Sequence, residues 1–388
     1  MPLYRLFRTT MSGEKIFEGV FATHKPQGVT SADVVRKMQH HFQPSKTFKP
    51  WLDSEKARRD RESNFQQKRR RNKRLEIKVG HGGTLDPLAT GVLVIGVGKG
   101  TKSLGDFLGC TKAYEATILF GAETDTYDRL GKITRRAPYE HVTREAVEKA
   151  LDQFRGKIMQ KPPIFSALRI DGKKLYEYAR EGKVPDVEIK SRPVEALDIK
   201  IMEWYEPGTH EYKWPEEEMV GEERAAAEQL IDRVDALPAT AEGETASDPS
   251  ATKRKSSPPN EEATDAKKVK VSETEAADAP KAPEPATGET TSVQTEQSRP
   301  QPAAVKISMT VTSGFYVRSL AHDLGKAVGS CALMSELVRT RQGDYELTPE
   351  KTLEYKDLEA GEEVWGPKVQ GFLENWNRNR LDKLEAEK

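Results

Sequence analysis

Between Pro215 and Gly314 the chain has no Phe, Trp or Tyr, and the stretch is rich in Ala, Glu, Pro, Ser and Thr. Such a composition cannot bury enough apolar surface to offset the entropy of ordering the chain, so most of it is expected to be disordered. The flanks differ. Leu197, Ile199 and Ile201 alternate with Asp198, Lys200 and Met202 on one side; Val305, Ile307, Met309 and Val311 alternate with Lys306, Ser308, Thr310 and Thr312 on the other. Period-2 alternation marks half-buried strands. A sheet therefore breaks off near residue 205 and resumes near residue 305, around an acidic insert over 206–304. Closure entropy grows slowly with loop length, so a sheet tolerates such an excursion.

The insert also hides a charge asymmetry. The whole chain, 388 residues, has 62 Lys+Arg and 62 Asp+Glu. From Glu206 to Ala304 there are 22 acidic and 11 basic residues, a net of −11, which leaves +11 on the remainder. A basic folded body suits a polyanion such as RNA, although a solvated surface satisfies the same count. A second insert, over 43–78, carries Lys56, Arg58, Arg59 and Arg61, then Lys68-Arg69-Arg70-Arg71 and Lys73-Arg74. It is expected to be helical and to lie along RNA phosphates. Within the acidic insert, Lys253-Arg254-Lys255 and Lys267-Lys268-Val269-Lys270 resemble a bipartite nuclear import signal.

The two cysteines, Cys110 and Cys331, give neither a disulfide framework nor a zinc site and fit a reducing compartment. No apolar run reaches the ~20 residues of a membrane span. Residues 1–18 read as an N-terminal extension; Arg5 and Arg8, with no acid in the first 13 residues, weakly resemble a mitochondrial transit peptide, against the plainer reading of a frayed terminus.

Elsewhere strand and helix patterns alternate. Ser31 is expected to cap a helix with Val34, Val35, Met38 and Phe42 on one face. Val92–Val97 and Tyr114–Phe120 read as strands, and Ala146, Val147, Ala150, Leu151 and Phe154 as a helical stripe. Residues 351–388 read as a charged tail, helical, with no C-terminal RNA-binding domain of the PUA type.

The densest signal is Gly80-His81-Gly82-Gly83-Thr84-Leu85-Asp86-Pro87-Leu88-Ala89-Thr90-Gly91, a loop directly before the apolar strand from Val92. Glycines let a backbone approach a ligand, and the proline biases Asp86 away from helix. Residue by residue, a Gly-rich turn closed by an Asp explains as much. The nearby Gly96-Val97-Gly98-Lys99-Gly100-Thr101-Lys102-Ser103 lacks the spacing of a phosphate loop in every register, which argues against an NTPase.

The stretch from Gly80 to Lys102 resembles the signature loop of the TruB family of tRNA pseudouridine synthases. Three further blocks follow the family's order: His24 to Ser31 resembles its KPxGxTS element, Ser166 to Arg180 its RNA-gripping insertion (about 160–190), and Gly314 to Gly325 its GTYIRSLxxDLG block. The Gly-Gly loop and the two inserts resemble the family's eukaryotic branch.

The resemblance implies an α+β catalytic domain, with a mixed, largely antiparallel sheet and flanking helices, over 19–205 and 305–350. It implies isomerisation of a uridine in the T-loop of tRNA, at position 55, by base flipping, with uridines of mRNA in T-loop-like context as a further substrate class. No cofactor and no metal are implied, since the base is only detached, rotated and rejoined. Asp86 matches the catalytic carboxylate, as nucleophile or base; Arg318 its partner; Tyr114 the active-site tyrosine. His81 matches the residue that fills the space left by the flipped base, and Tyr316 and Leu337 line the uracil pocket. Lys173, Lys174 and Arg180, with Lys25, are expected at T-arm phosphates. The expected molecule is a monomer acting in nucleus and cytoplasm, with mitochondria as a further site, and not at a membrane. A non-catalytic tRNA-binding protein on the same scaffold is the alternative; the Asp86 and Arg318 pair speaks against it, because binding alone needs neither.

Overall fold

The computed structural model describes residues 8–10, 13–70, 74–163, 165–166, 169–170, 173–174, 191–236 and 301–386. The apolar alternation is realised as one mixed sheet. Its principal strands are β1 (Gly19–Lys25), β2 (Val79–His81), β3 (Thr90–Val97), β4 (Lys112–Phe120), then, beyond a separate β5–β6 hairpin (Ala122–Thr124 and Ile133–Arg136), β7 (Gly156–Gln160), β8 (Arg192–Tyr205), β9 (Ala304–Val311), β10 (Ala332–Gln342) and β11 (Thr352–Glu354). The order across the sheet is β11-β1-β3-β10-β4-β9-β8-β7, with β2 beside β3. Only β11 with β1 and β3 with β10 run parallel.

The chain leaves the sheet at Tyr205 and returns at Ala304, and these two residues are register partners in the antiparallel β8–β9 pair. The acidic tract begins in an ordered way. Residues 206–236 include a helix, Gly221–Ala236, and Ile133 of the β5–β6 hairpin exchanges backbone hydrogen bonds with Glu217 and Met219 (2.9 Å each). Residues 237–300, including both basic clusters, lie outside the described residues.

Two local readings need correction. Leu197 does not join the face of Ile199: the register slips between Ala196 and Asp198, a bulge that turns Leu197 outward, 53% exposed. Helix α1 (Ser31–Phe42) is capped by Thr30, not Ser31. The Thr30 hydroxyl accepts from Asp33 N, and the Asp33 carboxylate accepts from Thr30 N, which closes a capping box. Ser31 is freed for another task, described below. Of the expected stripe, Val34, Met38 and Phe42 are fully buried and Val35 is half-buried against the same core.

The basic insert holds α2 (Lys49–Asp60) and α3 (Asn64–Arg70). The helix Arg144–Leu151 becomes α4, Gly221–Ala236 α5, Val317–Ala327 α6 and Glu362–Ala386 α7. Residues read as a charged tail thus supply strand β11 and helix α7, whose Trp365, Val369 and Leu373 are buried in the main core.

Candidate active site

The Gly80–Gly91 loop crosses from β2 to β3. Its carbonyls are held one after another by side chains from distant parts of the chain. Gln342 Nε2 donates to Gly82 O (2.6 Å), and Arg339 donates to Gly83 O and Thr84 O (3.3 Å each) as well as Val92 O (2.7 Å). Ser31 Oγ donates to Leu85 O (3.0 Å) and accepts from Leu85 N (2.8 Å). Lys25 Nζ donates to Ala89 O (2.6 Å), Pro87 O (3.4 Å) and Pro26 O (2.8 Å). Gly91 closes the loop at φ +102°, where an added Cβ would stand 2.3 Å from Arg339 O; only glycine fits. Each neutral bond is worth about 1 kcal/mol and the charge-assisted ones more. Together they fix the backbone that carries Asp86.

Lys25, named with the T-arm phosphate contacts, spends its Nζ on these three carbonyls. It is fully buried, and burial lowers its pKa from 10.5 to about 8, against the pull of Asp86 and with the help of Arg339.

Opposite Asp86 stands Arg318, on the first turn of α6. The start of that helix is pinned by Gln160, whose amide accepts from Tyr316 N (2.7 Å) and donates to Tyr316 O (2.9 Å), and by Ser319 Oγ on Lys161 O (2.9 Å). Arg318 Nε lies 2.8 Å from Asp86 Oδ2. Its other nitrogens donate to Thr126 O (3.0 Å) and Phe165 O (2.9 Å). The guanidinium is 7% exposed and Asp86 33%, so the carboxylate is reachable and its partner is not. The pair joins the two halves of the domain on either side of the acidic insert.

Asp128 Oδ2 is 3.9 Å from the same Arg318 Nε. Burial pushes the Asp128 carboxyl above its ordinary value; Arg318 opposes the shift, as do the Leu130 and Thr126 donors to Oδ1 (3.0 and 2.9 Å). Asp128 sits in the β5–β6 turn, beside Tyr127, a non-glycine residue at φ +61° whose ring stacks on His322 of α6 at 4.0 Å and 6°. His322 Nδ1 is 3.2 Å from Glu123 Oε2, both side chains 2% exposed, and Arg135 Nε is 3.5 Å from Glu123 Oε1.

Tyr114 is opposite Arg339, and Leu337 opposite Ala116, in the β4–β10 pair. These four share the sheet face that Arg339 leaves to reach the loop, and Tyr114 packs half-buried on the core cluster that includes Leu85 and Leu337. Tyr316 is half-buried, with the Arg192 guanidinium 5.2 Å from its ring centre. His81 ends β2; burial lowers its pKa from 6.5, the Gly83 backbone opposing, which keeps the ring neutral near pH 7. Lys173–Lys174 pairs with Arg169–Ile170 in a short hairpin, and Arg180 lies outside the described residues. Among the described residues no group of three or more His, Cys, Asp or Glu could hold a metal ion.

Asp128, Gln160, Arg192, Arg339 and His322 were not singled out from sequence. The Thr124-Asp125-Thr126-Tyr127-Asp128 turn, dense in acids beside a glycine at 131, carried the one usable signal.

Comparison with known proteins agrees with this geometry. Residues 68–215 match the TruB family pseudouridylate synthase N-terminal domain, and residues 318–375 match the tRNA pseudouridylate synthase B C-terminal domain. The chain is 38% identical over 357 residues to tRNA pseudouridine synthase 4 of Schizosaccharomyces pombe, covering 88% of this chain and 83% of that protein. It is 32% identical over 363 residues to tRNA pseudouridine synthase 4 of Saccharomyces cerevisiae (92% and 85%), and 40% identical over 189 residues to pseudouridylate synthase TRUB1 of Mus musculus (49% and 51%).

Proposed function

This chain belongs to the TruB family of pseudouridylate synthases, and on that footing we propose that it isomerises a uridine in the T-loop of tRNA, at position 55, with Asp86 as the reacting carboxylate. The observation that carries the reading is the reachable Asp86 carboxylate, 2.8 Å from a buried Arg318, on a loop whose carbonyls are held from four sides.

The reaction breaks the bond from ribose C1′ to uracil N1, turns the base, and forms the bond from C1′ to C5; the C5 proton leaves and N1 takes one up. Atoms balance without an oxidant or an energy source. Asp86 acts at the sugar, either adding to C1′ or removing a ribose proton. Arg318, itself held by two carbonyls, fixes its orientation. A uridine inside a folded loop must be flipped out. His81, neutral and half-buried at the mouth of the loop, suits the space the base vacates. Tyr114 and Leu337 flank the uracil from the sheet, and Tyr316, with the Arg192 guanidinium 5.2 Å from its ring centre, stands two residues from Arg318. Lys173 and Lys174 position the T-arm through phosphates, which fix the register without reading the base.

The deciding experiment is tritium release from tRNA carrying 5-tritiated uridine, with wild type and Asp86→Asn side by side and tRNA affinity measured for both. Release by wild type alone, with binding retained in the variant, is the expected result. Tight binding without release by either protein defeats the proposal.

A further inference from the structure

The basic insert stands at the far end of the sheet from Asp86. Strand β3 begins at Thr90, beside the catalytic loop, and ends at Val97; the next residue, Gly98, lies against α2, where an added Cβ would be 2.6 Å from Trp51 Nε1. Seven residue steps at about 3.3 Å put the root of α2 roughly 23 Å along β3 from Thr90, where the loop rejoins the sheet after Asp86.

That root is fixed at both ends. Phe48 and Trp51 are buried, and Phe48 packs in an aromatic cluster with Phe42 (4.6 Å) and Trp365 of α7 (6.4 Å). The Glu362 carboxylate accepts from Thr47 N (2.7 Å), Thr47 Oγ1 (2.8 Å) and Lys46 N (3.1 Å). On the return, Gln43 donates to Leu75 O (2.9 Å) and accepts from Ile77 N (3.0 Å).

What this root carries is cationic. Residues 49–78 hold 12 Lys+Arg and 5 Asp+Glu, a net of +7. Two of the acids, Glu55 and Glu62, are engaged by Arg58 within the insert. Lys56, Lys68 and Arg74 are exposed, and Phe65 between them is 70% exposed. A merely solvated basic loop has no need of a two-ended clamp or of an aromatic ring held in water, whereas a polyanion with stackable bases uses both.

We propose that α2 and α3 form a preorganised strut that grips tRNA phosphates outside the T-arm while the Asp86 loop holds the target uridine. Roughly 23 Å of duplex is about 7 base pairs at about 3.4 Å each, which carries the contact past the stem next to the T-loop. The inference rests on the tRNA reading and deepens it. Fixing both ends of the insert beforehand lowers the ordering cost of binding.

The test is the full chain with Lys56→Gln, Lys68→Gln and Arg74→Gln together, all exposed positions, so folding is preserved and checked by thermal melting. Equilibrium binding is measured across a salt series to a whole tRNA transcript and to an isolated T-arm hairpin. For whole tRNA the slope of log K against log salt should fall by about 2 to 3, near one per lost phosphate contact, with affinity roughly tenfold weaker at low salt. Binding to the hairpin should be unchanged. No change on either RNA, or an equal loss on both, overturns the proposal. The readout needs no turnover, so failure of the isomerase reading in the tritium assay remains a separate result.

Discussion

His322→Ala tests whether the catalytic pair depends on a stack behind it. Arg318 and His322 are four residues apart on α6 and so face the same way. Both hold the β5–β6 turn: Arg318 takes Thr126 O at 3.0 Å and lies 3.9 Å from Asp128, while His322 stacks on the intervening Tyr127 at 4.0 Å. Tyr127 is at φ +61°, a conformation that costs a non-glycine residue about 1–2 kcal/mol and persists only while its surroundings enforce it. Truncation removes the ring contact, about 0.5–1.5 kcal/mol. It also strips Glu123, 2% exposed, of its Nδ1 neighbour at 3.2 Å and leaves it Arg135 at 3.5 Å; taking a partner from a buried polar group costs about 1–3 kcal/mol, and more for a charged one, so about 3 kcal/mol here. The expected destabilisation is about 4 kcal/mol, roughly 8 °C in Tm for a chain of this size. Release of the Tyr127 strain moves Asp128 and Thr126 O away from Arg318, and kcat should fall about 10- to 30-fold, or about 1.4–2 kcal/mol. KM for tRNA should hold, because the phosphate contacts lie elsewhere. Single-turnover tritium release, thermal unfolding and the companion His322→Phe separate the effects. Phe restores the stack but not the Glu123 contact, so it should recover most of kcat while remaining destabilised. Refutation is an alanine variant with lowered Tm but kcat within about twofold of wild type, or a phenylalanine variant no more active than alanine.

Other substitutions probe the two sides of the site. Arg318→Lys offers one point charge where the guanidinium serves Asp86 and two carbonyls; kcat should drop at least about 100-fold, near 2.7 kcal/mol, in single-turnover assays, with tRNA affinity nearly unchanged. Lys25 titrates at about 8 in the folded chain against 10.5 ordinarily, so between those values the unfolded chain holds a proton that the folded one has released, and stability should rise with pH through that window by up to about 3 kcal/mol. Urea titrations at pH 7.5 and 10 should show this gain in wild type and lose it in Lys25→Met; equal pH dependence would contradict the burial argument. Gly91→Ala places a Cβ 2.3 Å from Arg339 O at φ +102° and should cost more than about 3 kcal/mol by urea unfolding or prevent soluble expression.

The parts of the fold that alternation could read were those where alternation persists. β9 buries Val305, Ile307, Met309 and Val311 as its pattern requires. In β8 the same rule fails at Leu197, because a bulge inserts one residue and inverts the face, and nothing in the apolar pattern marks a bulge. Thr30 and Ser31 are both good caps, so composition left the cap position open by one residue, and the Asp33 side chain decided it. Asp86 and Arg318 were legible only as members of long motifs; their 2.8 Å approach joins residues on either side of the acidic insert, a separation that periodicity does not cross. Lys25 was named for phosphates on the resemblance alone; its burial was not legible, because it is set by β1 lying inside the sheet between β11 and β3.

The position of Lys25 and Arg339 bears on how this loop can be both polar and rigid. A loop of glycines has little side-chain packing to hold it, and its carbonyls would ordinarily be left to water. Here the carbonyls of Gly82, Gly83, Thr84, Leu85, Pro87 and Ala89 are each taken by a side chain, four of them by the two buried cations Arg339 and Lys25. Burying those cations is unfavourable, and the lowered pKa of Lys25 registers that cost. Lys25 also attracts the Asp86 carboxylate, so the cation whose burial costs the core helps hold the reacting group, while Arg318 lies 2.8 Å from it. Hydrophobic replacements at Lys25 would spare the core a buried charge but leave the Pro26, Pro87 and Ala89 carbonyls unpaired and loosen the carboxylate. Turnover should therefore fall more than stability at that position, whereas at His322 both fall.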